Sequence, residues 1–177
     1  VYDVNGIRIF QFRSPLPRIS IFHRIVAADT PESALKQLAS DTFDPHSEAI
    51  AEGRSADFAG LTGARREAVS SGRIEEYKAT FVRAVVKTAG PAFVVLNDTN
   101  FPGWSASIDG RDVSLFYANY LFRGIVVPAG SHTIEYRYGP SSFAIGLTVS
   151  VISLAALACM CVISWIRRRR ALTTTPT

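Results

Sequence analysis

The chain has 177 residues, with 19 Lys and Arg against 15 Asp and Glu, which gives a formal net charge of +4. Four of the basic residues form one run near the carboxyl end, so the rest of the chain carries equal numbers of basic and acidic side chains. The net charge is therefore local, and it excludes a nucleic-acid-binding surface as its explanation. About 140 residues precede the apolar segment described below, which is enough for one hydrophobic core.

The N-terminal part predicts short elements separated by turns. Val1–Phe12 predicts a pair of strands around an Asn5-Gly6 turn, because both residues accept a positive φ. Arg18–Ala28 predicts one extended run rich in Ile, Val and Phe. Thr30-Pro31-Glu32 predicts a helix over residues 30–40, since it supplies a hydroxyl N-cap, a proline at the first helical position and an acid near the positive helix end.

Residues 54–72 are rich in Gly, Ser, Ala and charged residues and contain few large apolar ones. This composition predicts a long, flexible and loosely packed loop.

From Arg73 to Tyr138 the pattern predicts strands throughout. An Asp109-Gly110 turn should pair Ala106 with Val113 and Trp104 with Leu115 on one face. The predicted strands are Tyr77–Thr88, Ala92–Asn97, Trp104–Ile108, Val113–Tyr117, Leu121–Val127 and His132–Tyr138. The fold class is therefore mainly β: residues 1–142 should form an antiparallel, jelly-roll-like β-sandwich with one short α-helix.

Residues 143–166, from Phe143 to Ile166, contain no charged side chain. At about 1.5 Å per residue, a helix of this length crosses a hydrocarbon core of about 30 Å. Trp165 lies where an interfacial aromatic anchor is expected. The run that follows consists of Arg167, Arg168, Arg169 and Arg170. By the positive-inside rule the tail, residues 167–177, is cytoplasmic and residues 1–142 are extracytoplasmic.

No residue pattern predicts a metal site, another cofactor or a catalytic centre. Cys159 and Cys161 both lie in the apolar segment, and a Cys-x-Cys pair alone does not bind a metal. Three carboxylates, Asp98, Asp109 and Asp112, are candidates for a glycosidase pair. The turn explains Asp109 and a solvated strand edge explains Asp112, while Asp98 has no explanation in the sequence.

The candidate ligand-binding residues are aromatic or polar side chains between Trp104 and Arg123. Trp104 could form a stacking platform for a sugar with Tyr117, Tyr120 and Phe122, or it could pack in the core. Asn119 and Arg123 stand among large apolar residues. They could satisfy buried backbone groups or pair with Glu135, or they could grip a phosphate or sugar at the membrane face.

The order of motifs from Phe93 to Phe143 resembles the C-terminal region of bacterial YfhO-type integral membrane proteins. The motifs that carry the resemblance are Pro102-Gly103-Trp104, Asp109-Gly110, Asn119 with Phe122-Arg123-Gly124, Pro128-Ala129-Gly130 with His132, and Tyr138, Pro140, Ser142 and Phe143. Leu16-Pro17-Arg18 and Phe43-Asp44-Pro45 fit as well.

The resemblance implies a parent protein related to lipid-linked-sugar glycosyltransferases of the GT-C type, located in the bacterial plasma membrane. The catalytic carboxylate of such enzymes lies in an early outside loop, so no catalytic residue is expected here. This chain would be an accessory module for cell-envelope glycan assembly. Its partners would be the lipid bilayer, upstream transmembrane helices and a glycan or lipid-linked sugar, and not nucleic acid. The alternative is a single-pass binding or receptor ectodomain without catalytic activity.

Overall fold

The computed structural model describes residues 2–4, 7–9, 15–62 and 69–172. The chain divides into two compact units, residues 1–138 and residues 139–177. Strands account for 43% of the structure and helices for 28%, which confirms the predicted mainly β class.

The N-terminal strands β1 (Tyr2–Val4) and β2 (Ile7–Ile9) pair antiparallel as a separate two-stranded sheet. Val4 lies opposite Ile7. The predicted Asn5-Gly6 turn between them lies outside the described residues.

The other strands form two larger sheets. They are β3 (Ile19–Phe22), β4 (Ile25–Ala28), β5 (Ala49–Glu52), β6 (Ser70–Lys78), β7 (Phe81–Thr88), β8 (Ala92–Thr99), β9 (Trp104–Ile108), β10 (Arg111–Val113), β11 (Phe116–Ala118), β12 (Phe122–Val127) and β13 (Gly130–Tyr138). The five-stranded sheet has the order β10-β9-β13-β7-β6, and the six-stranded sheet has the order β3-β8-β12-β11-β5-β4. Every pair is antiparallel except β4 with β5, which is parallel.

The two sheets enclose one apolar layer, which we call the inter-sheet core. Alternate residues of β7, β8, β9, β12 and β13 supply it, as the two-residue period of a strand requires. Its buried members are Val82, Val86, Val94, Leu96, Ala106, Ile108, Ile125, Val127, Ile134 and Tyr136. This packing confirms the predicted β-sandwich.

The six-stranded sheet is strongly curled. Its two edge strands, β3 and β4, are joined only by His23 and Arg24. Two linking residues reach about 11 Å between the strand ends, whereas six flat strands at their usual spacing span about 24 Å. The sheet must therefore bend until its edges approach. The prediction of a single run over Arg18–Ala28 is wrong in this respect, because the run divides into strands with different neighbours.

The hollow of the curled sheet is filled by the segment predicted to be a loose loop. A 3-10 helix, Ser55–Phe58, places Phe58 fully out of solvent, with its ring centroid 4.8 Å from that of Phe116. Leu61 is also buried, and a Cβ at Gly53 would lie 3.0 Å from the Phe58 ring. Phe58 and Leu61 are therefore packed, unlike the loose packing predicted over residues 54–72, whereas Ser55, Ala56, Ala59 and Gly60 between and before them are exposed. Residues 63–68 lie outside the described part.

The short helix α1 (Pro31–Leu38) begins where the sequence predicts. Thr30 Oγ1 accepts a hydrogen bond from the Ser33 amide at 3.2 Å, which confirms the predicted N-cap. Ala34 packs against Ala28 and Ile50 and covers one side of the curled sheet.

Two predicted strands are divided by turns or by a change of sheet. A turn at Ala79-Thr80 separates β6 from β7, so Tyr77–Thr88 is not one strand. Val113–Tyr117 is broken likewise, because β10 belongs to one sheet and β11 to the other.

The hairpin at Asp109-Gly110 is confirmed. Both residues have positive φ, 51° and 79°, and Ala106 lies opposite Val113. The ladder ends at Val113, so the predicted pairing of Trp104 with Leu115 is wrong, although both side chains pack against the inter-sheet core.

The second unit contains helix α2 (Ser141–Leu172), which extends beyond the predicted residues 143–166 at both ends. From Ser141 to Arg169 it is long and apolar enough to cross a membrane, with a mean hydropathy of 2.4 in its most apolar window. The hydroxyls of Thr148, Ser150 and Ser153 donate to carbonyls four residues earlier. These polar groups are thus satisfied without water, as a bilayer requires.

Candidate functional site

The structure brings the predicted ligand-binding residues to one end of the sandwich, which we call the loop end. It comprises the connections 79–80, 100–103 and 119–121 and the carboxyl end of β13. The registers require this grouping, because Thr99 lies opposite Phe122 in one sheet and Trp104 lies opposite Tyr138 in the other.

Arg123 is a buried cation at this end, with only 4% of its side chain exposed. Its Cζ lies 3.8 Å from the centroid of the Trp104 ring. Its Nη2 lies 3.4 Å from Asp98 Oδ2, and its Nε donates to the Asp98 carbonyl at 3.5 Å. Burial lowers the pKa of Arg123 below its usual range, while the Asp98 carboxylate opposes that shift.

Asp98 is the centre of this polar cluster. Its carboxylate also lies 3.2 Å from Arg18 Nη2 and accepts a hydrogen bond from the Tyr77 hydroxyl at 2.9 Å. That hydrogen bond raises the pKa of Tyr77. Asp98, which the sequence left unexplained, is therefore the counter-ion of Arg123. Sequence reasoning missed Arg18 and Tyr77 because they come from distant parts of the chain, just before β3 and within β6.

Of the alternatives that the sequence left open for Arg123, the ion pair with Glu135 does not form. Glu135 lies on the outer face of the five-stranded sheet, where it pairs with Arg83 at 2.8 Å and Arg137 at 2.7 Å. The alternation along β13 explains the difference, because Tyr136 faces the inter-sheet core and its neighbours face solvent.

Asn119 satisfies the backbone of a neighbouring strand, one of the roles that the sequence left open. Its side-chain Oδ1 accepts a hydrogen bond from the backbone amide of Ile50, and its backbone amide donates one to the Ile50 carbonyl, both at 2.8 Å. Asn119 and Tyr120 both have positive φ, 48° and 70°. Asparagine tolerates this conformation, whereas tyrosine rarely adopts it.

Tyr117 and Tyr120 are the predicted site residues that face solvent, with 38% and 41% of their surface exposed. Phe101 and Leu121 are exposed beside them in the chain connections of the loop end. The guanidinium of Arg123 covers one face of the Trp104 ring, so that face is closed to a sugar. The two tyrosines are therefore the most exposed residues of the predicted site, while Trp104 and Asn119 are half-buried.

His132 and Asp109 form a separate pair at the opposite end of the sandwich. His132 Nδ1 lies 2.7 Å from Asp109 Oδ2, and Asp109 Oδ1 accepts from the Thr133 amide at 2.9 Å. The hydrogen bond raises the pKa of His132 and lowers that of Asp109. This arrangement fixes the β9–β10 turn. Among the residues that the structure describes, no group of three or more His, Cys, Asp and Glu could hold a metal ion.

The predicted topology residues lie on α2. Phe143 and Trp165 are exposed, and the Arg169 Cζ lies 3.9 Å from the centroid of the Trp165 ring. An arginine stacked on a tryptophan at one end of an apolar helix suits the interface between lipid and water.

No protein-family model matches this chain, and neither does any curated protein or solved structure.

Proposed function

We propose that this chain is a membrane-anchored accessory module of a polytopic membrane protein related to lipid-linked-sugar glycosyltransferases, active in cell-envelope glycan assembly. One observation carries the membrane anchoring in this proposal, while its relation to glycosyltransferases is carried by the motif resemblance: a sandwich with its own core is followed, after Gly139 and Pro140, by a helix whose described side chains are all exposed. So much apolar surface requires lipid or other membrane helices as its solvent.

The arginine run gives this module its orientation. Four consecutive guanidinium groups resist transfer through a bacterial plasma membrane, so the tail remains cytoplasmic and the sandwich is extracytoplasmic. The motif resemblance supports the cell envelope as the place of action. The catalytic carboxylate would belong to the parent protein.

Tyr117 and Tyr120 are the residues that we assign to ligand binding. Exposed tyrosines offer aromatic faces to sugar rings and hydroxyls to their polar groups. A module held at the bilayer by α2 would meet a membrane-bound acceptor glycan or a lipid-linked phosphate there.

Binding can be measured with the whole chain reconstituted in lipid nanodiscs, using undecaprenyl phosphate in the disc and soluble envelope glycans as probes. Tyr117→Ala and Tyr120→Ala should each weaken binding about tenfold, the effect of losing one stacking contact. Leu35→Ala is the matched control, because Leu35 is comparably exposed on α1. Equal binding by all variants and the wild type would refute the assignment.

A single-pass binding or receptor ectodomain is the second candidate. The observation in its favour is that the described residues before α2 form a complete sandwich with its own core. The gene sequence upstream of Val1 separates the two candidates. Several hydrophobic spans there would support the accessory module, and a lone signal peptide would support the ectodomain.

A further inference from the structure

Exposed apolar side chains are concentrated at the loop end. Eight large hydrophobic side chains are exposed among the described residues that precede α2. Six of them lie at or next to the loop end: Tyr77, Phe101, Tyr117, Tyr120, Leu121 and Tyr138. The other two, Leu35 and Val69, lie on α1 and before β6. Such clustering on one surface marks a contact site, whereas scattered exposure would not.

The opposite end of the sandwich has a different composition. Its connections Ala89–Pro91, Asp109-Gly110 and Pro128-Ala129 contain no large apolar residue. Among the described residues one exposed large apolar side chain, Val69, lies at this end, since its carbonyl accepts a hydrogen bond from the Ala89 amide at 3.2 Å. Six such side chains at one end against one at the other exceed what the general need of turns for small or polar residues explains.

The chain connections that carry the exposed apolar side chains of the loop end are held in fixed positions. The Asn100 amide donates to the Leu121 carbonyl at 2.8 Å, which ties the two connections together. Asn119 is bonded twice to Ile50, and Tyr120 is kept at a φ of 70°. A bulky residue remains in such a conformation only where the surroundings impose it, and strain of this kind occurs at contact sites.

The chain connectivity indicates that lipid contacts the exposed apolar side chains of the loop end. Tyr138 ends β13 at the loop end, and α2 begins at Ser141. The Cα atoms of these two residues can be at most about 11 Å apart, whatever the conformation of Gly139 and Pro140. If α2 crosses the bilayer, the headgroup layer is therefore within reach of the loop end.

We propose that Phe101, Tyr120 and Leu121 insert into the headgroup layer of the bilayer that α2 crosses. The inference rests on the proposed anchoring by α2. Tyrosine suits the interface because its ring is apolar and its hydroxyl is polar, while Phe101 and Leu121 supply side chains that gain by leaving water.

Nitroxide labels on the whole chain in phosphatidylglycerol and phosphatidylcholine vesicles test the proposal. The background carries Cys159→Ala and Cys161→Ala, and the label is attached through Leu121→Cys or, as control, Leu35→Cys. We expect the ratio of collisions with oxygen to collisions with a water-soluble nickel complex to be at least threefold higher at position 121 than at position 35. Equal ratios would overturn the proposal.

A third label, attached through Ala156→Cys within α2, separates this inference from the anchoring. If position 156 is lipid-exposed and position 121 is not, the loop-end inference fails and the anchoring stands. If position 156 is accessible to the nickel complex, both fail. Near-ultraviolet circular dichroism of each labelled variant should match the wild type. When Phe101→Ser is added to the chain labelled at position 121, the ratio of collisions with oxygen to collisions with the nickel complex should fall at that position.

Discussion

Removing either partner of the buried pair between Asp98 and Arg123 should destabilise the sandwich by unequal amounts. Asp98→Asn leaves a guanidinium that is 4% exposed without its carboxylate. Arg123→Met leaves Asp98 with two other partners, Arg18 Nη2 at 3.2 Å and the Tyr77 hydroxyl at 2.9 Å. Methionine also fills much of the space beside Trp104.

The magnitudes follow from these partners. Breaking a buried ion pair on one side costs about 3–5 kcal/mol, and we expect about 3 kcal/mol for Asp98→Asn because the Asp98 carbonyl still accepts from Arg123 Nε. Arg123→Met should cost about 1–2 kcal/mol. The variant loses the cation–π contact with Trp104 and the ion pair with Asp98, but methionine regains part of that free energy through apolar contacts.

Urea unfolding of the reconstituted chain, followed by near-ultraviolet circular dichroism, measures both free energies of unfolding. The double variant Asp98→Asn/Arg123→Met should be more stable than Asp98→Asn alone, because it carries no uncompensated cation. A larger loss for Arg123→Met than for Asp98→Asn would refute the assignment of Asp98 as the required counter-ion.

Three further predictions concern the fold. Phe58→Ala should lower the free energy of unfolding by about 3–5 kcal/mol in the same urea assay, because it empties the hollow of the curled sheet; a loss below about 1 kcal/mol would restore the loose-loop interpretation. Gly124→Ala should cost about 3 kcal/mol, because its Cβ would overlap the Phe93 ring, whereas Gly90→Ala, with nothing within 4 Å, should change stability by less than about 0.5 kcal/mol. Because the pKa of His132 is raised in the folded state, protonation of its imidazole stabilises the fold. This stabilisation is fully present below the unfolded-state pKa of about 6.5 and is lost as pH rises through the folded-state pKa. Unfolding measured from pH 5 to 9 should therefore show the wild type losing its advantage over His132→Gln as pH rises, and a pH-independent difference would contradict the pairing with Asp109.

The elements that the sequence predicts correctly are those with strong local signals. The Thr30-Pro31 helix start and the Asp109-Gly110 hairpin depend on residues adjacent in the chain, and both are confirmed. The apolar segment that forms α2 is likewise visible in composition alone. Its ends differ from the prediction because the helix continues through polar and basic residues that the hydropathy pattern does not count.

The errors arise where tertiary contacts decide. Phe58 stands in a segment of low apolar content, yet it is buried together with Leu61 against the curled sheet. Arg18 and Asp98 are 80 positions apart in the chain, and only the pairing of β3 with β8 brings them together. Long-range pairs of this kind leave no periodic trace in one sequence.

The proposed membrane crossing of α2, with the sandwich outside and the tail inside, is most directly tested by labelling intact cells that express the protein. On the Cys159→Ala/Cys161→Ala background, a membrane-impermeant maleimide should modify Leu35→Cys in intact cells. It should modify Thr175→Cys only after the cells are lysed. Labelling of Thr175→Cys in intact cells, or protection of Leu35→Cys until lysis, would contradict the orientation on which the proposed function depends.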